Sequence, residues 1–223
     1  MDKKLFISAI SKFLLGVILV GVLVFLPAGT LNYINGIIFM CLLFIPMFSV
    51  GIILMKKNPD LLKRRLNAKE KERTQSKVIK LSGLMFLVGF ILAGLDFRYK
   101  WTYLPLPVSI IFAVVFTLAY ILYGEVLREN TYLSRTIEVS ENQKVIDTGL
   151  YGIVRHPMYS AAILLFLSMP LLLGSLISFI VFLIFPILMI VRIKNEEEVL
   201  SKELEGYEEY KKKVKYRLIP FIY

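Results

Sequence analysis

The sequence predicts an all-α integral membrane protein of about five to six transmembrane helices that closes with a helical hairpin. Three observations carry that expectation. Hydrophobic residues make up 57% of the 223 and mean hydropathy is +0.69, too apolar for a soluble domain. The apolar residues fall in blocks of membrane-spanning length. The formal charge of +10 gathers mostly at the ends of those blocks, where it encodes topology and does not signal nucleic-acid binding. With one cysteine, Cys41, inside an apolar run and one histidine, His156, no disulfide is possible within the chain and no protein-held metal is expected.

The first run, Leu5 to Leu26, follows Lys3 and Lys4 and has no small-residue cleavage site after it, so it reads as an uncleaved first span. Pro27, Ala28 and Gly29 make an uncharged turn, and Leu31 to Met55 returns through the bilayer with Pro46 as a tolerated kink. From Lys56 to Lys80 ten Lys or Arg stand against three acids, which places this loop on the cytoplasmic side. The plainest expectation is that this charge run is solvated, with contact to anionic lipid heads as the alternative. The third run is Val78 to Leu95. The loop Asp96 to Tyr103, DFRYKWTY, reads as an aromatic belt at the outer interface, and Leu104 to Leu127 is the fourth run. Counting crossings puts Arg128 to Arg155 back inside, with Ser134 to Gly149 as a short strand pair or an ordered loop. Met158 to Leu173 spans 16 residues, about 24 Å as a helix, slightly short of a roughly 30 Å core. Gly174-Ser175 is the turn to a return arm, Leu176 to Val191.

Within this apolar frame, Gly149 to Tyr159, GLYGIVRHPMY, sets Arg155 and His156 at the mouth of a membrane segment. Pro157 disfavours the α region for His156 and suits the first turn of a helix. The N–H groups of Met158, Tyr159 and Ser160 would then face back as an anion site. A snorkelling arginine at a helix boundary is the plainer alternative. At the foot of the other hairpin arm, Arg192 and Glu196 are four residues apart and share a helical face. An ordinary i,i+4 ion pair is one reading. The other is a cluster in which Arg155, His156, Arg192 and Glu196 converge at the lipid interface, a candidate functional site.

These motifs resemble the isoprenylcysteine carboxyl methyltransferase and phospholipid methyltransferase superfamily. The matching pieces are Tyr151, then Val154-Arg155-His156-Pro157-x-Tyr159, Arg192-Ile193-x-x-Glu196-Glu197-x-x-Leu200, Gly206-Tyr207-x-x-Tyr210 and Arg217-Leu218-Ile219-Pro220. The resemblance implies S-adenosylmethionine as cofactor in a cytoplasmic pocket, bound by Tyr151, His156, Pro157, Met158, Tyr159 and Glu196, with Gln143, Lys144, Val145 and Ile146 as a less sharply defined contact. It implies that Arg192 orients an acceptor carboxylate, and Arg155 and Glu197 join it as candidate catalytic residues in their capacity as motif members. One domain, 1–223, is expected, with membrane helices in 1–127 and the catalytic region in 128–223. The implied setting is a multi-pass protein of the cell membrane with cytoplasmic termini, acting on a lipidic acceptor among membrane lipids, without metal or nucleic acid.

Methyl transfer from a sulfonium is an in-line displacement, so positioning dominates the protein's share of catalysis. A carboxylate acceptor is ionised at neutral pH and needs no base, and an Arg fork suits it. A phospholipid amine would have to lose a proton, making His156 or a carboxylate the base. A non-catalytic membrane module is a further alternative. So is a protein like the membrane sterol reductases, whose related fold would imply a nicotinamide cofactor in the same cleft.

Overall fold

The computed structural model describes residues 3–67, 73–102, 104–134, 136, 139 and 143–223. Its helices are α1 (Lys3–Ala28), α2 (Ile34–Lys57), α3 (Pro59–Leu66), α4 (Arg73–Tyr99), α5 (Leu106–Glu129), α6 (Pro157–Leu172), α7 (Leu176–Phe182), α8 (Ile184–Glu203) and α9 (Tyr207–Lys213), with a 3-10 turn at Gly149–Gly152. Among the described residues there is no strand, so Ser134, Thr136, Val139 and Gln143 to Gly149 belong to an ordered loop; Arg135, Ile137, Glu138 and 140–142 lie outside them.

The chain is an all-α membrane protein. Among the described residues five stretches are long and apolar enough to cross a bilayer: α1, α2, α4 from Thr74, α5, and the joined α7 and α8 from Leu176 to Glu203. The remaining apolar helix, α6, has 16 residues, the short arm of the expected hairpin. Gly174 turns the hairpin at φ +83°, a left-handed conformation that a side chain resists. Ser175 then caps α7, its Oγ accepting from Ser178 N at 3.1 Å. The return arm has an elbow that the apolar run does not announce. Pro186 offers no N–H to the Phe182 carbonyl and its ring presses on it, so α7 stops at Phe182 and α8 starts at Ile184.

Lipid gives no hydrophobic reward for bringing helices together, so close packing must do it. Gly94 on α4 lies so near the Val24 carbonyl of α1 that a Cβ would strike the backbone, and Gly89 leaves room for the Phe182 ring. Phe39, Phe90, Phe116 and Phe182 fill the interior, with Phe86 edge-on to Phe166 at 4.9 Å between centroids. At the end of the bundle with the α4–α5 loop, Tyr99 and Trp101 are exposed and stacked, as an interfacial belt requires. Asp96 departs from that expectation: it is buried, accepting from Thr102 N, Thr102 Oγ1 and Ser175 Oγ, and so ties the α4–α5 loop to the hairpin turn. Tyr103 lies outside the described residues.

The basic loop is not simply solvated. Asn58 caps α3, its side chain accepting from Leu61 N at 3.1 Å with Pro59 in the first turn, and Leu61 and Leu62 are buried. Arg64 donates to the Thr131 carbonyl at 2.6 Å, and Arg65 bonds the Tyr123 hydroxyl and the Ser134 carbonyl. On the opposite side, Lys12 of α1 reaches the Leu66 carbonyl at 2.8 Å.

Candidate active site

The site forms where the feet of α6 and α8 meet the loop after α5 and the segment after α9. His156 sits at φ −126°, ψ 59°, outside the α region as Pro157 demands, and α6 begins at that proline. Two of the three donors of the expected anion site at this helix start are already used. The His156 carbonyl itself accepts from Tyr159 N at 3.0 Å and Ser160 N at 3.2 Å, so those donors are spent within the first turn.

What holds Arg155 and His156 is the chain's last stretch folded back over them. Arg155 N donates to the Tyr216 carbonyl and His156 N to the Arg217 carbonyl, each at 2.9 Å. Arg155 Nη1 donates to the Val214 and Lys215 carbonyls at 2.7 and 2.8 Å, and Ser160 Oγ to the Leu218 carbonyl at 2.6 Å. Glu197 completes the clasp: its buried carboxylate accepts from Arg155 Nε at 2.7 Å, His156 Nε2 at 3.2 Å and Arg217 Nε at 2.9 Å. Facing a carboxylate, His156 Nε2 carries the proton of that contact.

In front of this network lies a cleft. Gln143, Lys144, Val145, Ile146, Tyr151, Arg155, His156, Met158, Tyr159, Arg192 and Glu196 all line it. Pro157 shapes the helix start behind it, and the Glu197 carboxylate is engaged by the clasp. Tyr159 occupies the middle. Its ring stacks on His156 at 5.7 Å and 26°, the Arg192 guanidinium lies 5.9 Å from its centroid, and its hydroxyl donates to Glu196 while accepting from Arg192 Nε at 2.9 Å. Arg192 and Glu196 are therefore joined through a phenol in the cleft wall, an arrangement beyond the simple i,i+4 pair.

Asn130, Tyr132, Leu133, Ser134, Thr136, Leu200, Leu204, Tyr207 and Tyr210 also line the cleft. Of these, Leu200, Tyr207 and Tyr210 stand in motifs visible in the sequence, whereas the loop residues carry no pattern that would single them out. Tyr210 donates to the Tyr151 carbonyl at 2.7 Å and packs with Tyr207, Leu204 and Val214 in a small apolar cluster separate from the membrane core. Burial pushes the Tyr151, Tyr207 and Tyr210 phenols up, so all three remain hydrogen-bond donors at physiological pH. The Tyr207 hydroxyl is buried and has no partner among the described residues, an orphan donor at the wall of the cleft.

Residues 106–206 match the phospholipid methyltransferase family. The matched region runs from α5 to Gly206, and that family falls within the superfamily that the motifs resemble. The chain is also 28% identical over 134 residues to the Delta(14)-sterol reductase of Mus musculus, a match covering 54% of this chain and 32% of that protein. The chain thus spans about a third of the length of the curated relative it matches. The family match supports a membrane methyltransferase with its substrate unspecified, and the reductase is the weaker alternative.

Proposed function

We propose that this protein is a membrane methyltransferase that moves the methyl group of S-adenosylmethionine to a lipidic carboxylate of the isoprenylcysteine type. The observation that carries the reading is the single cleft in which Tyr151, His156, Met158, Tyr159, Arg192 and Glu196 meet the 143–146 segment. The donor set fits such a cofactor: aromatic faces suit a sulfonium, the Glu196 carboxylate suits hydroxyl or ammonium donors, and the orphan Tyr207 hydroxyl is a donor in want of an acceptor. Tyr151, His156, Met158, Tyr159, Glu196 and Gln143 to Ile146 would hold it, with Pro157 fixing the helix start. When bound, it supplies an already activated methyl group.

Arg192 would orient the acceptor carboxylate by its planar fork, with the Tyr159 hydroxyl fixing that fork's approach. Arg155 and Glu197 would act as positioning residues through the clasp. No base is required for a carboxylate, so alignment and exclusion of water are the protein's contribution. In this reading the chain is one domain in which 1–127 anchors and 128–223 carries the reaction. In this reading both termini and the cleft face the cytoplasm at the cell membrane, an orientation that the cationic run Lys56 to Lys80 and the basic C-terminal stretch support.

Purified protein given labelled S-adenosylmethionine and a native lipid extract tests the reading. A lipid product that releases labelled methanol in mild base supports a methyl ester. Base-stable label on a phospholipid supports N-methylation, the second reading, which the name of the matched family favours. Thermal stabilisation by NADPH and not by S-adenosylmethionine would overturn both in favour of a reductase.

A further inference from the structure

A second concavity lies away from the cleft, between α1 and α2, with α3 closing one end. Its walls are apolar, with Phe13 and Phe48 facing each other and Leu62 and Leu66 of α3 at the closed end. Its charged members are Lys12 and Lys56, and no acid lines it among the described residues. Lys12 stands on α1 beside α3, in the wall of the groove with Lys56. It donates to the Leu66 carbonyl, which leaves the remaining N–H bonds of an ammonium for another acceptor.

We infer that this groove binds one anionic phospholipid from the bilayer, an acyl chain lying between α1 and α2 and the phosphate at Lys12 and Lys56. An apolar trough with cations at one end and no carboxylate suits an anionic amphiphile. A zwitterionic headgroup would bring an ammonium to a site that offers it nothing. Lys57, Lys63, Arg64 and Arg65 add positive charge around the same end, with only Asp60 against them on α3, so a bound phosphate also relieves repulsion.

The site is connected to the cleft through α3. The helix gives Leu62 and Leu66 to the groove. It also gives Arg64 to the Thr131 carbonyl, and Arg65 to the Ser134 carbonyl and to Met158 Sδ at 4.0 Å. Ser134 and Met158 line the cleft. A lipid that holds α3 against α1 therefore steadies one wall of the cleft, whatever chemistry that cleft performs.

The full chain in nanodiscs of phosphatidylcholine with a minor share of phosphatidylglycerol tests this by native mass spectrometry of retained lipid. Wild type should keep one phosphatidylglycerol in preference to phosphatidylcholine. Lys56→Gln should lower that preference about fivefold, the factor expected for one lysine at an anionic surface. Gly51→Leu should abolish retention: Gly51 lines the groove, and a Cβ there meets nothing within 4 Å, so the fold accepts a side chain that fills the site without altering charge. In wild type, phosphatidylglycerol should also slow amide exchange across α3 and residues 130–134, and in Gly51→Leu it should not. Equal retention of the two lipids, or undiminished phosphatidylglycerol on Gly51→Leu, overturns the site. Slowed exchange in both proteins assigns the effect to bulk surface charge and overturns the coupling.

Discussion

In the membrane core Phe86 meets four phenyl rings, those of Phe90, Phe166, Phe182 and Phe185, whereas in the cap over the cleft the one carboxylate of Glu197 accepts from Arg155, His156 and Arg217 together. The first region is held by many weak, non-directional contacts, any one of which can be adjusted by a neighbour. The second is held by a few charge-assisted hydrogen bonds away from water, each with a fixed partner. Tolerance to substitution should therefore differ sharply between regions of similar burial.

The largest effect is expected at Glu197. Glu197→Ala leaves Arg155 buried without its carboxylate and should cost about 3 to 5 kcal/mol, seen as a collapse of the thermal transition in detergent. A fall no larger than that of an apolar core truncation would mean the cap is packed like the core. Next comes a place where the core itself becomes intolerant. Gly94→Ala drives a Cβ into the α1 backbone and should cost about 1 to 3 kcal/mol, because backbone cannot turn aside. Gly89→Ala drives its Cβ into the buried Phe182 ring and should cost a similar amount in the same melt, a smaller loss showing that the ring repacks.

Within the cleft the contrast can be sharpened between adjacent functions. Glu196→Gln should weaken S-adenosylmethionine binding by about 1.5 to 3 kcal/mol in direct titration, while Arg192→Lys should leave binding nearly intact and depress turnover. Equal small losses in both assays would reduce the pair to a surface ion pair worth about 1 kcal/mol at most. The smallest effect belongs to the lipid-facing side: Leu118→Ile, at a residue 60% exposed, should stay within about 0.5 kcal/mol in the melt.

The spans were legible because length and hydropathy alone decide them, and the hairpin because Gly174 and Ser175 break an otherwise apolar run. The elbow at Leu183 was missed although Pro186 marks it, since membrane helices often absorb a proline, as α2 does at Pro46. The wall of the cleft around Tyr159 and Arg192 could be read from motif spacing, whereas Asn130, Tyr132, Leu133, Ser134 and Thr136 could not, since no motif marks them. The different surroundings of Glu196 and Glu197 could not, because the two carboxylates are neighbours and only the returning segment, through Arg217 and its carbonyls, distinguishes them. α3 escaped for a related reason: a charge run reads as solvated until its partners, here the Thr131 and Ser134 carbonyls, are known, and carbonyls have no letter in a sequence.

The clasp around Arg155 also places the last support of the site beyond the last crossing stretch. Insertion of α1 through α8 needs nothing beyond Glu203, yet the backbone of Arg155 and His156 finds its acceptors only at Tyr216 and Arg217. A chain cut after Glu203 would keep every stretch long enough to cross a bilayer and lack the carbonyls that hold Arg155 and His156. Premature termination between these points would leave an inserted protein that holds the membrane but has no site.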